Sequence, residues 1–171
     1  MDEGGWQSNH DDELEVTAYH EAGHALMAVH VGARVREISL NPAAEGKLDR
    51  YAEVAVEWPR ETFATREYQV KAMQVALAGP AAEMHYRGEP LHPGFVGEWA
   101  ADWQAAWAAS ACLASDAAKR VSLLEHWTTY VYRWLGRTEH WAALAAIVDH
   151  LLAHESLEGD EIDEIVAAWL G

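Results

Sequence analysis

From Glu13 to Val31 the apolar positions recur at helical spacing, and Val16, His20, Gly23, His24, Met27 and Val31 fall on one face of a single predicted helix. No Pro interrupts the run. Asp11 and Asp12 stand where acidic side chains cap a helix and favour its positive end, and Gly32 supplies a stop. The period then changes. Arg34 to Leu40 and Ala52 to Trp58 alternate β-branched with charged residues, which predicts two strands of a small sheet, with Pro42 and Gly46 marking a turn region between them. In the second run Ala52, Val54, Val56 and Trp58 share a face opposite Glu53, Ala55 and Glu57, the pattern of a half-exposed strand. Such a strand can form an ordinary sheet edge or pair with an extended peptide.

Beyond the sheet the helical period returns, predicting helices over Thr65 to Arg87, Glu98 to Ser115, Ala117 to Leu135, Glu139 to His154 and Asp160 to Leu170. The longest break, Gly88 to Gly97, holds Pro90, Pro93 and Gly94. Residues Met1 to His10 show no periodicity and read as a flexible tail, leaving 11–171 as one domain. The fold class expected is therefore α+β, predominantly α-helical, with a small β-sheet and a C-terminal helical bundle.

Composition narrows the partners. The formal net charge of -16 repels nucleic acid and anionic membrane surfaces, and the few basic residues form no patch to offset it. No apolar run reaches the length of a membrane span, and the acidic N-terminus lacks the character of a secretory signal. Cys112 is the one cysteine, which excludes an internal disulfide and suits a reducing compartment. A cytoplasmic protein is expected, with Cys112 as a small buried residue between Ala111 and Leu113. Trp99, Trp103 and Trp107 form a stripe suited to core or to a subunit interface, so a homo-oligomer stays open.

The chemistry concentrates in His20-Glu21-Ala22-Gly23-His24, an H-E-x-x-H pattern. Two imidazoles four residues apart on a helix sit one above the other, so both reach one ion at about 2.0–2.1 Å per bond. Glu21 is then held beside the open coordination position, where it acts as general base toward a water acidified by Zn²⁺. A third ligand is required. His30 has the spacing of an extended zinc motif, but Met27 stands where that motif needs Gly, so the helix continues and turns His30 to another face. Glu98 and Asp102, four apart on a later helix, can both face the same point, and spacing alone does not separate them.

Ala18-Tyr19-His20-Glu21-Ala22-Gly23-His24-Ala25-Leu26 resembles the metal helix of the FtsH-type ATP-dependent zinc metalloprotease family, and Val35 to Pro42 is similar to the strand that follows it there. Leu77-Ala78-Gly79-Pro80-Ala81-Ala82-Glu83 is similar to that family's Leu-Gly-Gly-Arg-Ala-Ala-Glu segment. Asp102-Trp103 with Ala106 and Ala109 is similar to its Asp-Leu-x-x-Ala-Thr helix, and Leu157 to Val166 to its ending. The resemblance spans about 150 residues. It implies a zincin-like metallopeptidase domain with His20, His24 and Asp102 on the metal and Glu98 second to Asp102. Departures accompany it: Pro80 replaces the family's Arg, and Glu45 to Arg50 lies where the family has a Gly-containing turn. The chain carries neither a P-loop nor transmembrane segments, so ATP-dependent proteolysis is not expected of it alone, and a separate ATPase partner stays open.

The function expected is a zinc metalloendopeptidase acting on peptides or unfolded protein segments. Two other classes compete with it: a non-catalytic binding module that keeps the fold, and a metal hydrolase acting on another bond.

Overall fold

The computed structural model describes residues 4–40, 53–59 and 63–171. Among the described residues, six α-helices and a three-stranded antiparallel sheet follow one another as α1 (Gly4–His30), β1 (Arg34–Ser39), β2 (Glu53–Glu57), α2 (Thr65–Arg87), α3 (Ala100–Ala109), α4 (Ala117–Leu135), α5 (Thr138–His154), β3 (Ser156–Glu158) and α6 (Gly159–Leu170). The α+β class with helix dominant is thus present.

The two long helices meet through their smallest residues. Ala18, Ala22 and Ala25 of α1 and Ala78, Ala81 and Ala82 of α2 are fully buried. A Cβ on Gly23 would lie 2.5 Å from the Ala78 carbonyl oxygen and 2.7 Å from Ala82 Cβ, so only Gly permits this crossing. Leu26, Ile38, Leu144, Ile147 and Leu151 extend the same core from α1 through the sheet to α5. A second core, made by Met73, Leu77, Ala106, Ala109 and Leu124, fastens α3 and α4 to the other side of α2. Helix α2 is therefore shared by both cores, which fixes α3 relative to α1.

The sheet order is β2-β1-β3. Val35 and Ile38 are both buried although three residues apart, a spacing that strict alternation forbids. A bulge at Arg36 resolves this: Val35 pairs with Val56, Glu37 with Ala55, and the extra residue returns Ile38 to the core face. Strand β3 was not expected. Its three residues bury only Leu157, opposite Ile38, too little pattern to read against the helices on either side.

Several boundaries move. Helix α1 begins at Gly4, so the segment predicted as a tail carries the first turns of the helix, and Asp11 and Asp12 sit exposed within it instead of capping it. Once a helix is nucleated each further residue adds one hydrogen bond, so the helix continues without an apolar stripe to announce it. Gly32 ends the region as expected, with φ of 91°. The predicted helix from Glu98 to Ser115 is broken into a 3-10 turn at Gly97–Trp99, helix α3, and a second 3-10 turn at Ser110–Cys112. Ser110 Oγ donates to the Trp107 carbonyl at 2.6 Å, and Arg120 Nε donates to Ser110 Oγ at 3.0 Å. These bonds turn Ser110 inward and leave Cys112 exposed, correcting the expectation that the thiol is buried. The Trp stripe divides too, Trp99 being buried while Trp103 and Trp107 are half-buried against the second core. The Pro42–Gly46 turn region, Ala52 and the Glu45–Arg50 segment lie outside the described residues. Among the described residues no helix is long and apolar enough to cross a membrane.

Candidate metal centre

His20 and His24 project from α1 toward α2 and α3, one helical turn apart. Each ring has its Nδ1 engaged. His24 Nδ1 lies 2.7 Å from the carbonyl oxygen of Val75, which can only accept, so Nδ1 carries the proton. His20 Nδ1 lies 2.8 Å from Glu83 Oε1 and donates to that carboxylate. Both contacts come from α2, and together they turn both Nε2 atoms inward toward Asp102, the arrangement by which an outer partner orients the ring of a ligating histidine.

The two Nε2 atoms are 3.1 Å apart. Asp102, in the first turn of α3, places Oδ2 at 2.9 Å from His20 Nε2 and Oδ1 at 3.2 Å from His24 Nε2. Among the described residues these three form the group able to hold a metal ion, with ligand atoms within 4.8 Å of one another. Ligands at zinc's usual bond lengths sit about 3.3 Å apart around a tetrahedron, close to the spacings found. Two imidazole nitrogens and one carboxylate oxygen make a donor set of the kind that suits zinc.

Helix α2 passes directly beneath. A Cβ on Gly79 would overlap His24 Nε2 and come within 2.6 Å of His20 Nε2, so the absence of a side chain there is what leaves space for the site. Pro80, next along, cannot donate to the Ala76 carbonyl, yet it is accommodated within the buried middle of the helix.

The electrostatics favour a cation. Burial works to lower the pKa of His20, but hydrogen bonds to Asp102 and Glu83 outweigh it and raise it to about 10. Burial likewise opposes ionisation of His24, while the Asp102 charge and hydrogen bond raise its pKa above the usual value. In return, and against the effect of burial, the histidines hold the carboxyl of Asp102 well below the ordinary carboxylate range. Glu83 is lowered in the same way, its burial offset first by the hydrogen bond from His20. The field that draws protons onto these rings is the field that draws a divalent ion to the point between them.

Of the residues singled out in the sequence, His20, His24 and Asp102 are brought together, and Glu21 follows His20 on α1, half-buried. Glu98 is not among them. It is exposed in the 3-10 turn before α3, where the change of helix type removes the i, i+4 relation to Asp102 that a continuous helix would impose. His30 is elsewhere too, its ring tilted against Trp134 with centroids 4.4 Å apart. Three contributors were missed: Glu83, the Val75 carbonyl and Gly79. The Ala81-Ala82-Glu83 segment stood out only as a family-like string; its role needed the α1–α2 crossing. Comparison with protein-family models and with curated proteins gave no match to this chain. The FtsH-type likeness therefore rests on the motifs themselves.

Proposed function

We propose that this chain is a zincin-like, FtsH-type zinc metallopeptidase domain that hydrolyses peptide bonds in peptides or unfolded protein segments. The observation that carries the reading is the convergence of His20 Nε2, His24 Nε2 and the Asp102 carboxylate on one point, with both histidine Nδ1 atoms already committed elsewhere. Zinc, when bound, acidifies a water molecule and polarises the scissile carbonyl. The rest of the work falls to the chain. His20, His24 and Asp102 hold the ion, while Glu83 and the Val75 carbonyl keep the rings aimed. The Glu21 carboxylate accepts the proton released by the attacking water and passes it to the leaving amine.

Hydrolysis of an unfolded protein should accordingly be abolished by a chelator and restored by zinc. A protein that holds zinc stoichiometrically yet cleaves neither unfolded protein nor short peptides contradicts the peptidase reading and leaves a binding module. The ligand assignment has its own test. Asp102→Ala should weaken zinc affinity by more than about a hundredfold, beyond what loss of an outer-shell partner costs, whereas Glu98→Ala should leave it unchanged. Zinc titration by competition with a chromophoric chelator reads both, and the opposite order reassigns the ligand.

A further inference from the structure

Trp99 is 1% exposed yet belongs to neither apolar core of the described residues. It ends the Gly97–Trp99 3-10 turn, three residues before Asp102, and its amide donates to the Val96 carbonyl at 3.1 Å. Its indole Nε1 is sealed from solvent without an acceptor at full hydrogen-bond distance, a state shared among the described residues only with Trp127 Nε1. A buried N–H in that state costs stability, so a fold keeps one where something offsets the cost.

The acceptor within its reach is the carboxylate of Glu83. Burial works to raise the pKa of that carboxyl, but the hydrogen bond and charge of His20, then the Trp99 N–H and the Arg87 charge, outweigh it and lower it. His20 Nδ1 donates to Oε1 at 2.8 Å and Arg87 Nε to Oε2 at 3.3 Å. Arg87 is 49% exposed, where solvent weakens an ion pair, whereas the indole dipole acts where no water reaches it. Trp99 is therefore the better placed of the two to fix the carboxylate. These contacts close a ring. His20 Nε2 lies 2.9 Å from Asp102 Oδ2, Asp102 and Trp99 share one short stretch of backbone, the Trp99 indole addresses Glu83, and Glu83 holds His20 Nδ1. Beyond the packing of α1 and α3 on α2, this ring is what relates the ligand on one helix to the ligand on the other.

We propose that Trp99 is a positioning residue of the metal centre: its indole N–H steadies the Glu83 carboxylate, which in turn holds the His20 ring in register with Asp102. Trp99 itself acts on neither the ion nor a substrate. Its role rests on the metal-centre reading and on no step of peptide hydrolysis. Packing and positioning are separable at this residue, because an aromatic ring without the N–H fills most of the same space and leaves Glu83 with one buried donor fewer.

The test is zinc affinity, read by competition with a chromophoric chelator, in a cycle of Trp99→Phe, Glu83→Ala and the two together. Trp99→Phe should weaken zinc binding about tenfold, the lower end of what an outer partner contributes. In the Glu83→Ala background the same change should alter affinity by less than about twofold, since the residue it acts through is already gone. Trp127→Phe, which removes the other sealed indole N–H, should leave zinc affinity unchanged. Phe is smaller than Trp, so position 99 is also filled with benzothienylalanine, which keeps both rings and carries sulfur in place of the N–H; the same loss is expected. The Nδ1 proton of His20, followed by NMR in the zinc-loaded protein, should exchange with water faster in both Trp99 variants and at the wild-type rate in Trp127→Phe. Unchanged zinc affinity or unchanged His20 proton exchange in the isosteric variant, or an equal loss with and without Glu83, overturns the assignment. A wild-type chain that takes up no zinc overturns the metal centre and the role of Trp99 with it, whereas the Trp99 results leave the centre standing, so the two failures are told apart.

Discussion

Glu21→Gln should retain zinc and the fold while hydrolysis falls by about 10²- to 10⁴-fold, the range a positioned general base contributes. The substitution preserves the shape of the side chain and removes its basicity. Glu21 sits outside the three-ligand group, so the ion has no reason to leave. It is half-buried on the same helix as both histidines, and an amide has nearly the same size and shape as the carboxylate it replaces. The loss should appear in kcat, with KM little changed, because the carboxylate acts on the proton in flight and not on the resting substrate. Turnover and zinc content measured on the same preparation decide the matter. A variant that cleaves at the wild-type rate removes Glu21 from the mechanism, and one that loses zinc makes it a ligand.

Gly79→Ala should abolish zinc binding and activity together, although residue 79 carries no chemistry. The added methyl would occupy the space of His24 Nε2 and crowd His20 Nε2 and His24 Cε1, each at 2.6 Å. Neither ring can swing aside without breaking a bond: His24 is tied to Val75 at 2.7 Å and His20 to Glu83 at 2.8 Å. The helix cannot retreat readily either, because Gly23 and Ala78 already pack at the limit of approach. Overpacking of this kind costs about 1–3 kcal/mol in stability, so the melting temperature should fall as well. Gly97→Ala is the control, since a Cβ there meets nothing within 4 Å. Wild-type zinc affinity in Gly79→Ala would mean that the rings do not stand over α2 as described.

How far the sequence revealed this arrangement depended on the range of the interaction. Helices α2 and α4 run over Thr65–Arg87 and Ala117–Leu135 as their period predicts, and Gly88 ends α2 with φ of 68°, as a glycine in that place should. The metal helix was legible for the same reason: His20, Glu21 and His24 stand in register within a few residues. Asp102 is 78 positions beyond His24 by simple subtraction, and spacing left it level with Glu98. Only the switch from 3-10 turn to α-helix at Ala100 separates the two, and that switch has no local signature beyond Gly97.

The outer contacts were less visible still. Glu83 looks like any helical acid until α1 and α2 cross through Gly23, Ala78 and Ala82. Gly79 would pass for a weak point in a helix, because glycine there costs about 1 kcal/mol relative to Ala. Its value is steric and belongs to the neighbouring helix. Cys112 misled in the opposite direction: its apolar neighbours suggested burial, while Ser110, two residues earlier, took the inward position through its bonds to Trp107 and Arg120.

The most direct measurement is the zinc content and zinc environment of the purified chain, by elemental analysis and X-ray absorption at the zinc edge. The account predicts one zinc per chain, bound by two imidazole nitrogens and oxygen ligands at about 2.0–2.1 Å, with one imidazole lost in His20→Ala and in His24→Ala. A chain that takes up no zinc from an equimolar solution, or one whose zinc signal is unaltered in those two variants, contradicts it.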